Sequence, residues 1–160
     1  MNISVILGHP YKESFNAAMA AAAVETLKEH GHTVSFHDLY REQFNPVLPE
    51  TELVSDVPED SLTALHPRDI RQADGIGIIP PTWWGQPPAI MKGWVDRVLR
   101  EEVAYTFAKG DNGSGLPIGL LKAKAALVNN TSKTPEKREQ SVFGDPLHRI
   151  SKDSIIKFSG

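Results

Sequence analysis

Apolar residues follow two rhythms along this chain, and each rhythm predicts a different element. Continuous runs at Ile3 to Leu7, at Ile76, Ile78 and Ile79, and at Lys124 to Val128 are too short for anything but buried strands, while Thr33 to Leu39 alternates as a further strand. Between them the spacing lengthens to three and four. Met19, Ala20, Ala23, Val24 and Leu27 share one face of a helix that Ser14 caps near Phe15 and Gly31 stops. A short helix starts at His66-Pro67 and runs through Ile70 and Ala73, and another starts at Pro87-Pro88 and carries Ile90, Met91, Trp94, Val95 and Val98. Further on, Tyr105 and Phe107 sit on a short extended piece, Gly110 to Gly115 form a turn-rich flap, and Gly144-Asp145-Pro146 make a turn. The last helix then places Leu147, Ile150, Ser154, Ile155 and Phe158 on one side. Strand alternating with helix predicts an α/β fold with a parallel, doubly wound sheet.

Composition narrows the class without changing that picture. A length of 160 residues predicts a single domain over 1–160, and 40% hydrophobic with 23% charged residues is ordinary for a globular chain. A formal charge of −3 gives no reason to expect nucleic acid or an anionic membrane as partner. No apolar run is long enough to span a bilayer, and the start has no basic leader, so the chain reads as cytoplasmic. The lack of cysteine excludes disulfides, thiol catalysis and thiolate metal sites, and it fits a reducing compartment. Between Arg41 and Arg68 lies a connection with Glu42, Glu50, Glu52, Asp56, Glu59 and Asp60 beside Pro46, Pro49 and Pro58, read as a solvated acidic face. The six histidines, His9, His30, His32, His37, His66 and His148, show no HExxH or comparable spacing. They read as mostly surface residues, which sets a metal hydrolase aside and assigns no metal ligand.

Candidate chemistry collects at carboxyl ends of strands, where open α/β sheets bind ligands. The central stretch Gly75 to Leu99 turns through Thr82, Trp83, Trp84 and Gly85, and the two indoles are either a platform for a flat molecule or plugs of the core. After the first strand comes GHPYKESFN. Here His9, Ser14 and the amides of Phe15, Asn16 and Ala17 form either a phosphate site at a helix N-terminus or an ordinary capped turn; the loop is neither a Walker pattern nor GxGxxG. Asn129, Asn130, Thr131 and Ser132 follow the last strand, as ligand-bonding groups or as a plain turn. Asp38 stands where a ribose-binding acid would, but without the glycine fingerprint it reads as a strand-end cap.

Taken together, GHPYKESFNAAM, DLY, FNPVL, PTWWGQPPAIMKGWVDRVL, AYTF, ALVNNTSKTPEKRE and FGDPL resemble the NAD(P)H quinone oxidoreductase family of flavodoxin-like proteins. That resemblance implies a three-layer α/β/α fold with strand order 2-1-3-4-5 and a homodimer with active sites at the subunit boundary. It also implies a flavin, FMN or FAD, that passes hydride from NAD(P)H to quinones or similar electrophilic acceptors. By position, His9, Ser14, Phe15 and Asn16 would bind the flavin phosphate or pyrophosphate. Pro81, Thr82, Trp83, Trp84 and Gly85 would lie along the ring, Trp84 and Gly85 being nearest the chemistry, with Asn130, Thr131 and Ser132 near its polar edge. The tyrosine and histidine that help move charge in the animal quinone reductases have no counterpart in TPEKREQSVFGDPL, so acid-base assistance has no assigned residue. Family members continue beyond the final FSG, so this chain is expected to lack strand five and to show an unpaired edge, with lower stability or reliance on a partner chain. Two other functions share the platform: a flavin-bearing ancillary subunit with little turnover, and a one-electron flavodoxin carrier, which the first loop's composition disfavours.

Overall fold

The computed structural model describes residues 1–54, 61–108, 110 and 115–160. Most of the expected flap and the acidic positions Asp56, Glu59 and Asp60 lie outside the described residues. Strand β1 (Asn2–Leu7) leads into α1 (Phe15–Glu29), and β2 (Thr33–Asp38) follows. A single 3-10 turn at Glu50–Leu53 precedes α2 (Ser61–Gln72), β3 (Gly75–Ile79) and α3 (Ala89–Val98). The two-residue strands β4 (Tyr105–Thr106) and β5 (Ile118–Gly119) come next, then β6 (Ala125–Val128) and helical turns over 136–143 and 146–159.

Four strands pair in parallel in the order β2-β1-β3-β6, so the sheet has the expected 2-1-3-4 winding with β6 as its fourth member. Leu7 stands opposite Asp38 on one side and Ile79 on the other, which brings the carboxyl ends of three strands to one rim. Alternation along β1 divides the core. Ile6 joins Ile78, Ile70, Ile90, Trp94 and Val98 beneath α2 and α3, while Val5 and Leu7 pack with Ile79 and Ala20 beneath α1. Each buried Ile, Leu or Val side chain among them contributes roughly 1.5–3 kcal/mol by leaving water.

Several expectations move. Helix α2 already runs from Ser61 and carries Pro67 in its interior, and α3 begins at Ala89 with Pro88 extended at its N-cap. β5 pairs antiparallel with β4 in a separate ribbon that the sequence does not announce. In the last helical segment, wide i→i+5 turns over Ile150–Ile156 shift the phase of the inward face. Ser151 and Ser159 are buried as a result and Ser154 is exposed.

The acidic connection is not wholly a solvated face. Glu52 is buried, and its carboxylate takes two bonds from the equally buried Arg97 of α3, Nε to Oε2 at 3.1 Å and Nη2 to Oε1. Arg97 also donates to the Asn45 carbonyl, so one guanidinium ties the connection to the helix. A neighbouring approach is closer still. A Cβ at Gly93 would run into the carbonyl and ring of Pro46, so only glycine lets this loop lie on α3. At the opposite edge β6 has no outer partner among the described residues, and Leu127 is 66% exposed.

Candidate functional site

Beyond Ile79 the chain keeps to the line of the sheet for a few residues more. Pro81 bridges to Thr131 in parallel register; the Thr82 N–H donates to the Thr131 carbonyl at 2.7 Å and the Thr131 N–H to that of Pro80 at 3.3 Å. Trp83 and Gln86 then exchange backbone bonds at 2.9 and 3.0 Å around a two-residue tip. Trp84 has φ 54° and Gly85 φ 71°, the two left-handed residues of a type I′ turn. Glycine suits that region. A tryptophan there costs on the order of 1–2 kcal/mol. The tip leaves Trp84 fully exposed and Trp83 exposed as well, so neither indole plugs the core; the core indole is Trp94. The N–H groups of Trp84 and Gly85 have no partner among the described residues.

Ser14 caps α1 as expected, its hydroxyl accepting the Ala17 N–H at 3.1 Å. That bond removes Ala17 from the amides open to a ligand. Phe15 and Asn16 occupy the first helical positions, ahead of the intrahelical ladder, so their N–H groups remain available. Phe15 is exposed, whereas Asn16 is buried, accepts from Thr131 Oγ1 at 2.7 Å, and has an Nδ2 without a hydrogen-bond partner. His9 accepts the Tyr11 N–H on Nδ1 at 3.1 Å, so its neutral ring carries the proton on Nε2. The same ring meets Trp83 edge to face at 6.0 Å. Nearby, the Tyr11 hydroxyl donates to Glu13, which raises its pKa above the ordinary tyrosine value, with desolvation adding to the effect.

A cleft of ≈ 1050 Å³ opens beside the tryptophan turn. Of the residues singled out from sequence, His9, Pro81, Thr82, Trp83, Trp84, Gly85, Thr131 and Ser132 line it. Ser14, Phe15 and Asn16 do not line it, although Asn16 is joined to it through Thr131. Asn130 donates to Thr82 Oγ1 at 2.8 Å and faces a smaller cavity of ≈ 290 Å³. Sequence reasoning missed the far wall, made by Lys133, Thr134, Glu139, Val142, Phe143 and Pro146. Its one available signal was position, since this segment follows directly on a strand end.

A second polar group lies away from the cleft and corrects the reading of two histidines as surface residues. His37 and His66 are buried with rings 4.1 Å apart, and Glu42 stands 3.2 Å from His37 Nδ1 and 3.5 Å from His66 Nε2. These three side chains are close enough to share a cation. However, Trp94 Nε1 donates to His66 Nδ1 at 3.0 Å, which leaves the His66 proton on Nε2 and directs an N–H, not a lone pair, at the carboxylate. The cluster is a buried carboxylate–imidazole network beneath the core tryptophan. Asp38 ends β2 as a cap, accepting the Arg41 N–H.

Comparison with known proteins adds three findings. A family model described as a flavodoxin-like fold matches residues 1–160. An NAD(P)H oxidoreductase of Haemophilus influenzae is 39% identical over 132 residues, 78% of this chain and 60% of the relative; NAD(P)H dehydrogenase [quinone] 1 of Rattus norvegicus is 34% identical over 124 residues, 65% and 45%. This chain therefore spans about half the length of these curated relatives. The crystal structure of Smu.1420 from Streptococcus mutans superposes with TM-score 0.83 at 33% identity, covering 99% of this chain and 81% of that one.

Proposed function

Because the chain belongs to the flavodoxin-like family of NAD(P)H quinone oxidoreductases, we propose that it is a flavin-dependent NAD(P)H oxidoreductase that delivers two electrons to quinones or similar acceptors. One observation carries this reading. Thr131 bonds to Asn16 on one side and to the Pro80–Thr82 segment on the other, so three loops at three strand ends form a single rim.

The residues present fit a flavin. The open amides of Phe15 and Asn16, the His9 Nε2–H and the unpaired Asn16 Nδ2 make a donor set suited to its phosphate, backed by the positive end of the fifteen-residue helix α1. Pro81, Thr82, Trp83, Trp84 and Gly85 offer an aromatic face beside two N–H groups that have no partner among the described residues, which suit a ring that carries developing negative charge. Asn130, Thr131 and Ser132 supply polar atoms for its edge. A bound flavin, FMN or FAD, supplies the hydride transfer itself. The chain's own part is to position the ring, to exclude water with its aromatic residues and to hold charge at the backbone amides. The titratable groups lining the cleft are His9, Lys133 and Glu139.

Exposed Phe15, Trp84, Val142 and Phe143 favour a homodimer that covers the cleft mouth. No described helix is long and apolar enough to cross a membrane, and with no cysteine in the sequence the chain is read as acting in the cytoplasm.

The test is direct. Purified or reconstituted protein should be yellow, release FMN or FAD on denaturation and oxidise NAD(P)H with menadione, and Trp84→Ala should lose most flavin affinity. A polypeptide that stays colourless with either flavin ends this reading, and bound flavin without turnover selects the ancillary-subunit function instead.

A further inference from the structure

The far wall of the cleft carries a feature that the family assignment does not supply. Helical turns over 136–143 bury none of their residues, yet they end in Val142 and Phe143, 66% and 51% exposed and both lining the cleft. Packing of the segment itself does not explain a phenylalanine there. Two restraints hold it nonetheless. The Arg138 guanidinium lies over the Phe143 ring at 5.6 Å from its centroid, a cation–π contact that restrains a side chain still half exposed. Immediately after it, Gly144 and Asp145 both take left-handed backbone, at φ 72° and 48°, and return their N–H groups to the Glu139 carbonyl. The chain then passes Pro146, whose Cγ would stand 2.9 Å from a Cβ at Gly85, so the two walls come close together at Gly85.

We propose that Phe143, held by Arg138 across the cleft from the Trp83–Trp84 turn where the flavin ring would lie, is the aromatic wall of the acceptor pocket, and that it selects planar, fused-ring electrophiles over compact ones. The inference rests on the flavin reading above and deepens it by naming the acceptor class. Aromatic faces attract flat π-systems in offset stacks, and the gain grows with the ring area covered. A fused two-ring acceptor presents more area to the Phe143 face than a one-ring acceptor does, and so gains more from the contact. Val142 extends the same apolar wall, and Glu139 and Lys133 mark its polar end.

Steady-state kinetics of the flavin-loaded protein with 1,4-naphthoquinone and with p-benzoquinone, at fixed NADPH, test the assignment. Phe143→Ala should raise KM for naphthoquinone roughly three- to tenfold, and that for benzoquinone by clearly less, with the visible flavin spectrum and the KM for NADPH as controls. Phe143→Trp should restore naphthoquinone selectivity, and Arg138→Gln should lose part of it. Phe143 is half-exposed, so its variants are expected to fold, and melting curves check this. Quenching of tryptophan fluorescence by naphthoquinone in the flavin-free protein is the second measurement, and Phe143→Ala should weaken it by a similar factor. Equal effects on both quinones, or no effect on either together with unchanged quenching, overturn the assignment. A wild-type protein that binds no flavin ends the functional reading alone, and the quenching result then decides the wall.

Discussion

Thr131 Oγ1 donates to Asn16 Oδ1 at 2.7 Å, a bond between residues 115 apart in the chain that joins the first crossover to the loop after the last sheet strand. Either loop alone is an ordinary turn; bonded together they set the spacing between a helix N-terminus and the tryptophan hinge. Thr131→Val keeps the shape and removes the donor, which leaves a buried amide oxygen unpaired. The expected loss is about 1–3 kcal/mol of stability, together with weaker flavin binding. Urea denaturation and flavin fluorescence titration measure the two effects separately.

The Arg97–Glu52 pair makes a sharper prediction, because both side chains are almost wholly buried. Removing Glu52 takes the carboxylate away from a buried guanidinium, so Glu52→Ala should destabilise by about 3–5 kcal/mol, whereas Glu52→Leu with Arg97→Met should recover much of it. The double variant still gives up the Arg97 bond to Asn45 and the cation over Phe44, so recovery should be incomplete. Denaturant midpoints of the three proteins decide it.

Acid should loosen the amino-terminal end of the central strands at Asp74. Its carboxylate accepts the Asn2 N–H at 2.8 Å, the main reason its pKa is lowered from 3.8, with Lys122 at 3.4 Å assisting. A folded-state pKa below the unfolded one means that the carboxylate stabilises the fold above about pH 4 and that this contribution is lost as pH falls through the folded value. Asp74→Asn should therefore be less stable than wild type at pH 7 and should lack that part of the acid-induced fall. Thermal melts at pH 7 and pH 3 compare the two.

Gly93→Ala adds one methyl where the Pro46 carbonyl already lies, so the loop must lift off α3. A drop in melting temperature well beyond that of Ala18→Gly, a helix-interior change of about 1 kcal/mol at an exposed site, is the expected result.

The sheet was legible in the sequence because β1, β3 and β6 are continuous apolar runs, and Ser14 was legible because a hydroxyl one residue ahead of an apolar-periodic stretch has few other uses. Glu52 was not. Its partner lies 45 residues away across a loop, and an acid among acids reads as solvated until the fold delivers Arg97. His66 was hidden in the same way, its environment being supplied by β2 and α3. Sequence left the two adjacent indoles undecided because only the backbone of the turn sends both outward. The far wall escaped notice because the only cue for Phe143 is that its segment leaves a strand end, and residue type alone does not separate a cleft wall from a surface helix.

The left-handed Trp84 carries a consequence for laboratory evolution. By backbone preference alone, position 84 belongs to glycine or asparagine, and the bulky indole gains nothing from burial. A saturation library at this codon, ranked once by heat resistance and once by catalytic turnover, should therefore return opposed orders: small residues leading the first, aromatic ones the second.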